Sequence, residues 1–261
     1  MVSEVLTVYH GSKNGLEGPI RMVAGRNRQT CDFGQGFYMG DEPTQPRTLI
    51  CDGTRPTLYT LSLDLEGLKV HRFKTDADWA MFVAYNRGFL EDYRKTAYYR
   101  ELKRIREESD VIFGRIANDR IFASMKLFFD GLIGVPALLK CLSALNVGNQ
   151  HCAISRKAFS RISIVSEKRF SPQECELFKA KSERQRKRAA AAANEICVSM
   201  RREGEGFLDL VRRRIKRMQS SVPSRPPRQA LASGPAVTAP VAEAATVRFG
   251  ALSKPRKGAG R

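Results

Sequence analysis

The chain has 261 residues, 42% apolar and 28% charged, a balance that supports a folded core and excludes a wholly disordered or collagen-like polypeptide. No apolar run approaches the roughly 18 residues a membrane helix needs, and no basic-then-apolar leader opens the sequence, so no membrane span and a cytoplasmic location are expected. The net charge of +18 is uneven: residues 1–160 carry 22 basic and 18 acidic side chains, residues 161–261 carry 23 and 9.

Val5–Tyr9 reads as a short buried strand ended by the turn formers Gly11-Ser12-Lys13-Asn14-Gly15. The alternation of Leu58–Leu65 and the run Leu68–Phe73 predict two further strands. Thr75 can cap a helix that places Trp79, Phe82 and Val83 on one face and stops at Gly88. Ile121, Phe122, Met125, Phe128, Phe129 and Leu132 recur at helical spacing, and a further helix opens with Pro136 and carries Leu138, Leu139, Leu142 and Leu145. His151–Ser155 and Ile162–Val165 read as short strands.

Ser171, Pro172 and Glu174 form a capping-box start for a long helix running toward Arg202, and Phe207, Leu208, Leu210, Val211 and Ile215 mark a short basic amphipathic helix. From about Ser220 onward Pro, Ala, Ser, Gly and Arg dominate, a composition that predicts disorder. The expected organisation is an α+β domain over residues 1–168, a basic helical extension over 169–219 and a disordered basic tail over 220–261. The basic block suits nucleic acid, an anionic membrane surface, an acidic partner or simply a solvated helix face.

Six dispersed cysteines with no Cys-x-x-Cys pair, and three histidines in all, give no clustered ligand set, so structural thiols and no metal are expected. Three segments carry chemistry. Tyr9-His10-Gly11-Ser12 sits where a strand meets a turn, and its plain reading is a histidine satisfied by that turn. In Cys31-Asp32-Phe33-Gly34-Gln35-Gly36-Phe37-Tyr38 the two glycines let the backbone approach something closely, either a ligand or, as a β-bulge, the protein itself. Asn149-Gln150 places an uncharged amide at the mouth of a strand after a glycine-containing loop.

In this order the three segments resemble the ADP-ribosyltransferase superfamily, in the polymerase-like branch with a His-Gly-Ser turn, a Phe-Gly-x-Gly-(Ile/Phe)-Tyr segment and a late Asn-Glu. The sequence is more closely similar to a bacterial family known as domain of unknown function 3990, through Tyr9–Ser12, Asp32–Tyr38, Gly114–Arg120 and Asn149-Gln150, over roughly residues 5–165. The resemblance implies two small antiparallel sheets around an NAD cleft with helices outside. It implies His10, Tyr38 and Gln150 as catalytic residues, with His10, Gly11, Ser12, Phe33, Gly34, Gly36, Tyr38 and Asn149 as NAD contacts. His10 would bind a ribose hydroxyl, the Gly11 main chain the nicotinamide carboxamide, and Tyr38 would stack on the nicotinamide ring.

Gln150 departs from the family's glutamate: an amide accepts a hydrogen bond but carries no charge and takes no proton, so transfer of a single unit is expected and chain elongation is not. Pro46 and Leu49 stand where the polymerases have a serine and a second aromatic. Arg21, Arg26 or Arg28 could meet the phosphates, and Asn118 and Asp119 read first as a helix cap. The resemblance therefore implies an NAD-dependent mono-ADP-ribosyltransferase acting on a protein or nucleic acid, toxin-like or regulatory, with two alternatives. One is an NAD glycohydrolase, the other an inactive NAD- or ADP-ribose-binding module tethered to nucleic acid by its basic end.

Overall fold

The computed structural model describes residues 4–21, 31–117, 119–144 and 148–220. They belong to one compact unit; the second unit, Pro223–Arg261, and with it the segment expected to be disordered, lies outside the described residues. The fold is α+β. Seven strands, β1 (Val5–Ser12), β2 (Phe37–Gly40), β3 (Thr57–Asp64), β4 (Val70–Arg72), β5 (Val111–Arg115), β6 (Asn149–Ala153) and β7 (Ile162–Arg169), form one sheet in the order β4-β5-β6-β2-β1-β3-β7. All neighbours are antiparallel except β4 and β5. That pair is parallel because the chain between them makes a helical crossover.

The two separate antiparallel sheets of the sequence reading are thus corrected to a single mixed sheet. The join is slight: β1 and β2 meet in one register pair, Tyr9 with Gly40, whereas β1 and β3 pair continuously from Val5–Asp64 to Ser12–Thr57. That one rung links β1-β3-β7 to β4-β5-β6-β2.

Eight α-helices are described: α1 (Thr44–Ile50), α2 (Ala77–Asn86), α3 (Ala97–Glu108), α4 (Asp119–Phe129), α5 (Val135–Ala144), α6 (Arg156–Phe159), α7 (Pro172–Ser199) and α8 (Phe207–Ser220). The cap of α2 is Asp76 rather than Thr75, its carboxylate accepting the N–H groups of Asp78 and Trp79 at 3.0 and 3.1 Å. A charged acceptor at a helix N-terminus satisfies the unpaired donors and meets the positive end of the dipole. Beyond the cap, Trp79 to Ala84 are all buried, so α2 lies inside the core. The Ser171–Glu174 capping box opens α7 as the sequence indicates.

The segment after residue 169 is helical and packs into the same core. Near the start of α7, Cys175 and Phe178 join Ile50 and Cys51 from the end of α1; near its end, Ala193 and Cys197 lie against α5, with the Cys141 and Cys197 sulfurs 3.7 Å apart. Phe207, Leu210 and Val211 of α8 are buried, and the Phe207 ring meets Phe128 and Phe129 edge-on. Arg214 pairs with Asp78 at the start of α2. The six cysteines form no disulfide and five of them are buried, and burial pushes the thiols of Cys51, Cys141 and Cys152 up to about 12.

A chain ending after Arg169 loses this wall of the core. Each fully buried Phe, Leu or Val contributes about 1.5–3 kcal/mol, so Phe207, Leu210 and Val211 together rival a typical domain stability of roughly 5–15 kcal/mol. The truncated chain is expected to lose its cooperative melt and near-ultraviolet circular dichroism, whereas a chain ending at Ser220 keeps both. Equal melting of the two would contradict the shared core.

Candidate functional site

The three motif segments, 28 and 112 residues apart between His10, Tyr38 and Gln150, meet on the consecutive strands β1, β2 and β6. Tyr9, Gly40 and Gln150 lie in one row across them. Past the single β1–β2 rung the ladder stops, and the Tyr38 carbonyl is met by the His10 imidazole, Nδ1 to O at 2.7 Å. A carbonyl only accepts, so Nδ1 carries a proton. The His10 ring stacks on Phe37 at 4.3 Å between centroids and is 9% exposed.

Side chains alternate along β2, so Phe37 and Tyr38 leave it on opposite faces. Tyr38 packs with Phe33 and the helical core, Phe37 with Val8 and Met39. Gln150, in register with Gly40, shares the Tyr38 face. The structure thus brings Tyr38 and Gln150 to one face, while the His10 ring sits beside Phe37 and reaches Tyr38 through its main chain.

The loop before β2 is folded on itself. The Tyr38 hydroxyl donates to the Gly34 carbonyl at 2.6 Å and accepts the Phe33 N–H at 3.0 Å, and burial raises its pKa well above the phenol range, keeping the donor proton in place. Arg106 of α3 braces the same loop from outside, donating to the carbonyls of Phe33 and Gln35. Gly34 has φ +74°, and a Cβ at Gly36 would lie 2.3 Å from the Cys152 sulfur. Both glycines answer close approaches within the protein, and Phe33 is fully buried in the core.

Asp32, quoted in the sequence motif but given no role there, lies at the centre. Its Oδ1 accepts from Arg87 at the end of α2, at 2.6 and 3.2 Å, and its Oδ2 accepts the Ala117 N–H and the Gln150 amide, both at 2.8 Å. Arg87 also donates to the Ala117 carbonyl and stands 4.0 Å over the Phe122 ring. A carboxylate only accepts, so Gln150 turns its NH2 toward Asp32, with a longer second bond to the Arg115 carbonyl at 3.4 Å, and its Oε1 is the acceptor on the other side. Nothing in the local sequence singles out Asp32, Arg87 and Arg106, because a buried charge is recognised only by partners distant in sequence.

The remaining candidates are engaged within the protein. Ser12 Oγ donates to the Gly15 carbonyl at 2.7 Å, and the Asn149 side chain donates to Asp41 at 2.8 Å. A Cβ on Gly11 would meet Ile50 and Pro46 of α1 at 2.7 and 2.8 Å, while Leu49 is 61% exposed. Arg21 is exposed; Arg26, Arg28 and Asn118 lie outside the described residues, and α4 begins at Asp119. Among the described residues no group of three or more His, Cys, Asp or Glu could hold a metal.

The geometry defines an α+β domain whose neighbouring central strands β1, β2 and β6 carry a histidine, a tyrosine and a carboxylate-anchored glutamine. The chain belongs to the family described as Protein of unknown function (DUF3990), whose model matches residues 6–164. Comparison with curated proteins and with solved structures gave no match. The family match ends inside β7, whereas the packed core continues through α8.

Replacing Tyr38 with Phe removes both bonds that close the 33–38 loop and leaves buried polar groups unanswered, at a cost of about 1–3 kcal/mol in urea unfolding. Beside Gln150, His151 packs near Phe113 with Nδ1 unpartnered, and burial, reinforced by Arg72 and opposed by Asp41 and Glu4, pushes it down to about 4. Its folded-state value lies below the unfolded 6.5, so its contribution is complete above the unfolded value and is lost as pH falls from there toward 4. Unfolding at pH 7.5 and 5 should show a loss of about 2 kcal/mol that His151→Gln reduces; an equal loss in both proteins would contradict the assignment.

Proposed function

We propose that the domain binds NAD where β1 and β2 part, cleaves its nicotinamide–ribose bond and transfers one ADP-ribose unit to a macromolecule. The observation that carries this reading is the convergence of the His10, Tyr38 and Gln150 segments on β1, β2 and β6, in the order the superfamily resemblance implies. NAD is a long ligand with different needs at its two ends. His10, its ring oriented by the Tyr38 carbonyl, would hydrogen-bond a hydroxyl of the adenosine ribose. Tyr38, anchored through its hydroxyl, would offer a rigid aromatic plate to the nicotinamide, and the Gly11 main chain would meet the carboxamide.

In the reaction the bond from the ribose C1′ to the nicotinamide ring nitrogen breaks, and its electron pair neutralises the pyridinium. Positive charge passes to the ribose, as in glycoside hydrolysis. Gln150 Oε1 would accept the adjacent 2′-hydroxyl and hold the sugar as charge develops. The acceptor's oxygen or nitrogen then bonds to C1′ and its proton leaves to solvent. With an amide in place of a carboxylate, residue 150 cannot activate a second sugar as acceptor, so the reaction stops after one unit. The exposed cations Lys179, Lys181, Arg184, Lys187 and Arg188 on α7 suit a polyanionic target that would bring the acceptor close.

The test is incubation of the full chain with labelled NAD, with and without cell lysate or nucleic acid, following free nicotinamide and label on macromolecules. Nicotinamide release with a single mass increment per site is expected, lost in His10→Ala and Gln150→Ala. A ladder of increments would overturn the single-unit reading. Release without transfer would make the protein a glycohydrolase, a reading favoured by the uncharged amide at position 150, and NAD binding without release would make it a binding module.

A further inference from the structure

We infer that Asp32 is the positioning residue of this site: it fixes the Gln150 amide with Oε1 toward the ligand and supplies, one hydrogen bond away, the negative charge that a glutamine lacks. The inference deepens the NAD reading and rests on it for its catalytic consequence, but the orientation stands on the geometry alone. Asp32 is 6% exposed, Gln150 is 8% exposed, and Nε2 to Oδ2 is 2.8 Å. A terminal amide has two nearly isosteric orientations, and only a partner of one kind decides between them. Here that partner is a carboxylate, with the Arg115 carbonyl as a second acceptor on the same NH2 side.

The charge is directed as well. Arg87 binds Oδ1 and Gln150 binds Oδ2, so the buried ion pair lies with its negative end against the amide. A hydrogen bond to a carboxylate polarises the amide and makes its carbonyl oxygen a stronger acceptor in a low-dielectric site. That oxygen is the atom proposed to face the ribose as it becomes cationic. The same geometry explains why a glutamate is unsuited to position 150 here: it would set two carboxylates against each other. The charge sits on residue 32 and the hydrogen-bonding group on residue 150, two functions that one glutamate would combine.

The experiment uses the full chain as wild type, Asp32→Asn, Gln150→Glu and the charge-conserving double substitution D32N/Q150E. The Gln150 side-chain amide is followed by proton–nitrogen NMR, assigned by its loss in Gln150→Glu, and nicotinamide release gives kcat and KM. In the wild type the two amide protons should be distinct and protected from solvent exchange, and in Asp32→Asn that protection should disappear. Asp32→Asn should lower kcat by about tenfold or more with little change in KM, and the double substitution should recover part of the loss, which a merely structural role would not predict.

Freely exchanging Gln150 amide protons in the wild type would overturn the orientation, whether or not NAD is cleaved. An unchanged kcat in a folded Asp32→Asn protein would overturn the charge role. Should that variant fail to fold, the double substitution against Gln150→Glu decides: recovery of a cooperative melt and of nicotinamide release supports the shared charge, and no recovery of either overturns it. Protected amide protons in a wild type that releases no nicotinamide would leave the positioning role intact and remove the NAD reading instead.

Discussion

A carboxylate withdrawn from water must have its lone pairs answered, or the chain around it will not close. Asp32 is answered from three directions, by a helix end through Arg87, by the main chain after β5 through Ala117 and by β6 through Gln150. Removing one partner of such a buried pair typically costs about 3–5 kcal/mol, because the remaining charge is stranded. The loop before β2, α2 and the middle of the sheet are therefore held at one point, and Gln150 is the only one of those contacts with an acceptor left to turn outward.

The sheet adds a second constraint. Joined by one register pair, β1 and β2 hold together the halves on either side while leaving their upper parts unpaired. A gap between strands leaves main-chain groups to be satisfied, and His10 does so by giving its Nδ1 proton to the Tyr38 carbonyl. The imidazole thus stands in for a missing ladder bond, which orients the ring in a way that a surface histidine would not be.

What could be read from the sequence was what local chemistry controls. The capping box at Ser171 and Glu174 and the apolar spacing of Ile121, Met125 and Phe128 are intrinsic to their segments, and they appear as α7 and α4. The cap of α2 moved by one residue because Asp76, not Thr75, reaches the N–H groups of Asp78 and Trp79. By contrast α1 carries Pro46 within it and β5 is five residues long, so neither announces itself by periodicity, whereas α3 does place Tyr98, Leu102 and Ile105 at helical spacing among its charges and could have been read. The joining of the sheet rests on a pairing between Tyr9 and Gly40, and the setting of the site on one between Asp32 and Gln150. Contacts so far apart leave no local signature: the motifs named His10, Tyr38 and Gln150, while the groups that orient them became visible only in space.

The place of α8 also has a bearing on how the protein is made. The Phe128 and Phe129 rings of α4 meet the Phe207 ring of α8, so that part of the core is closed only when α8 has arrived. On a ribosome adding about 5–20 residues per second, the roughly 80 residues between them take on the order of 10 s to appear. Throughout that interval the nascent chain carries an aromatic-rich surface with no covering wall. The hydrophilic, strongly charged exterior of α7, which emerges just before α8, is well suited to keeping such an unfinished chain in solution until α8 docks.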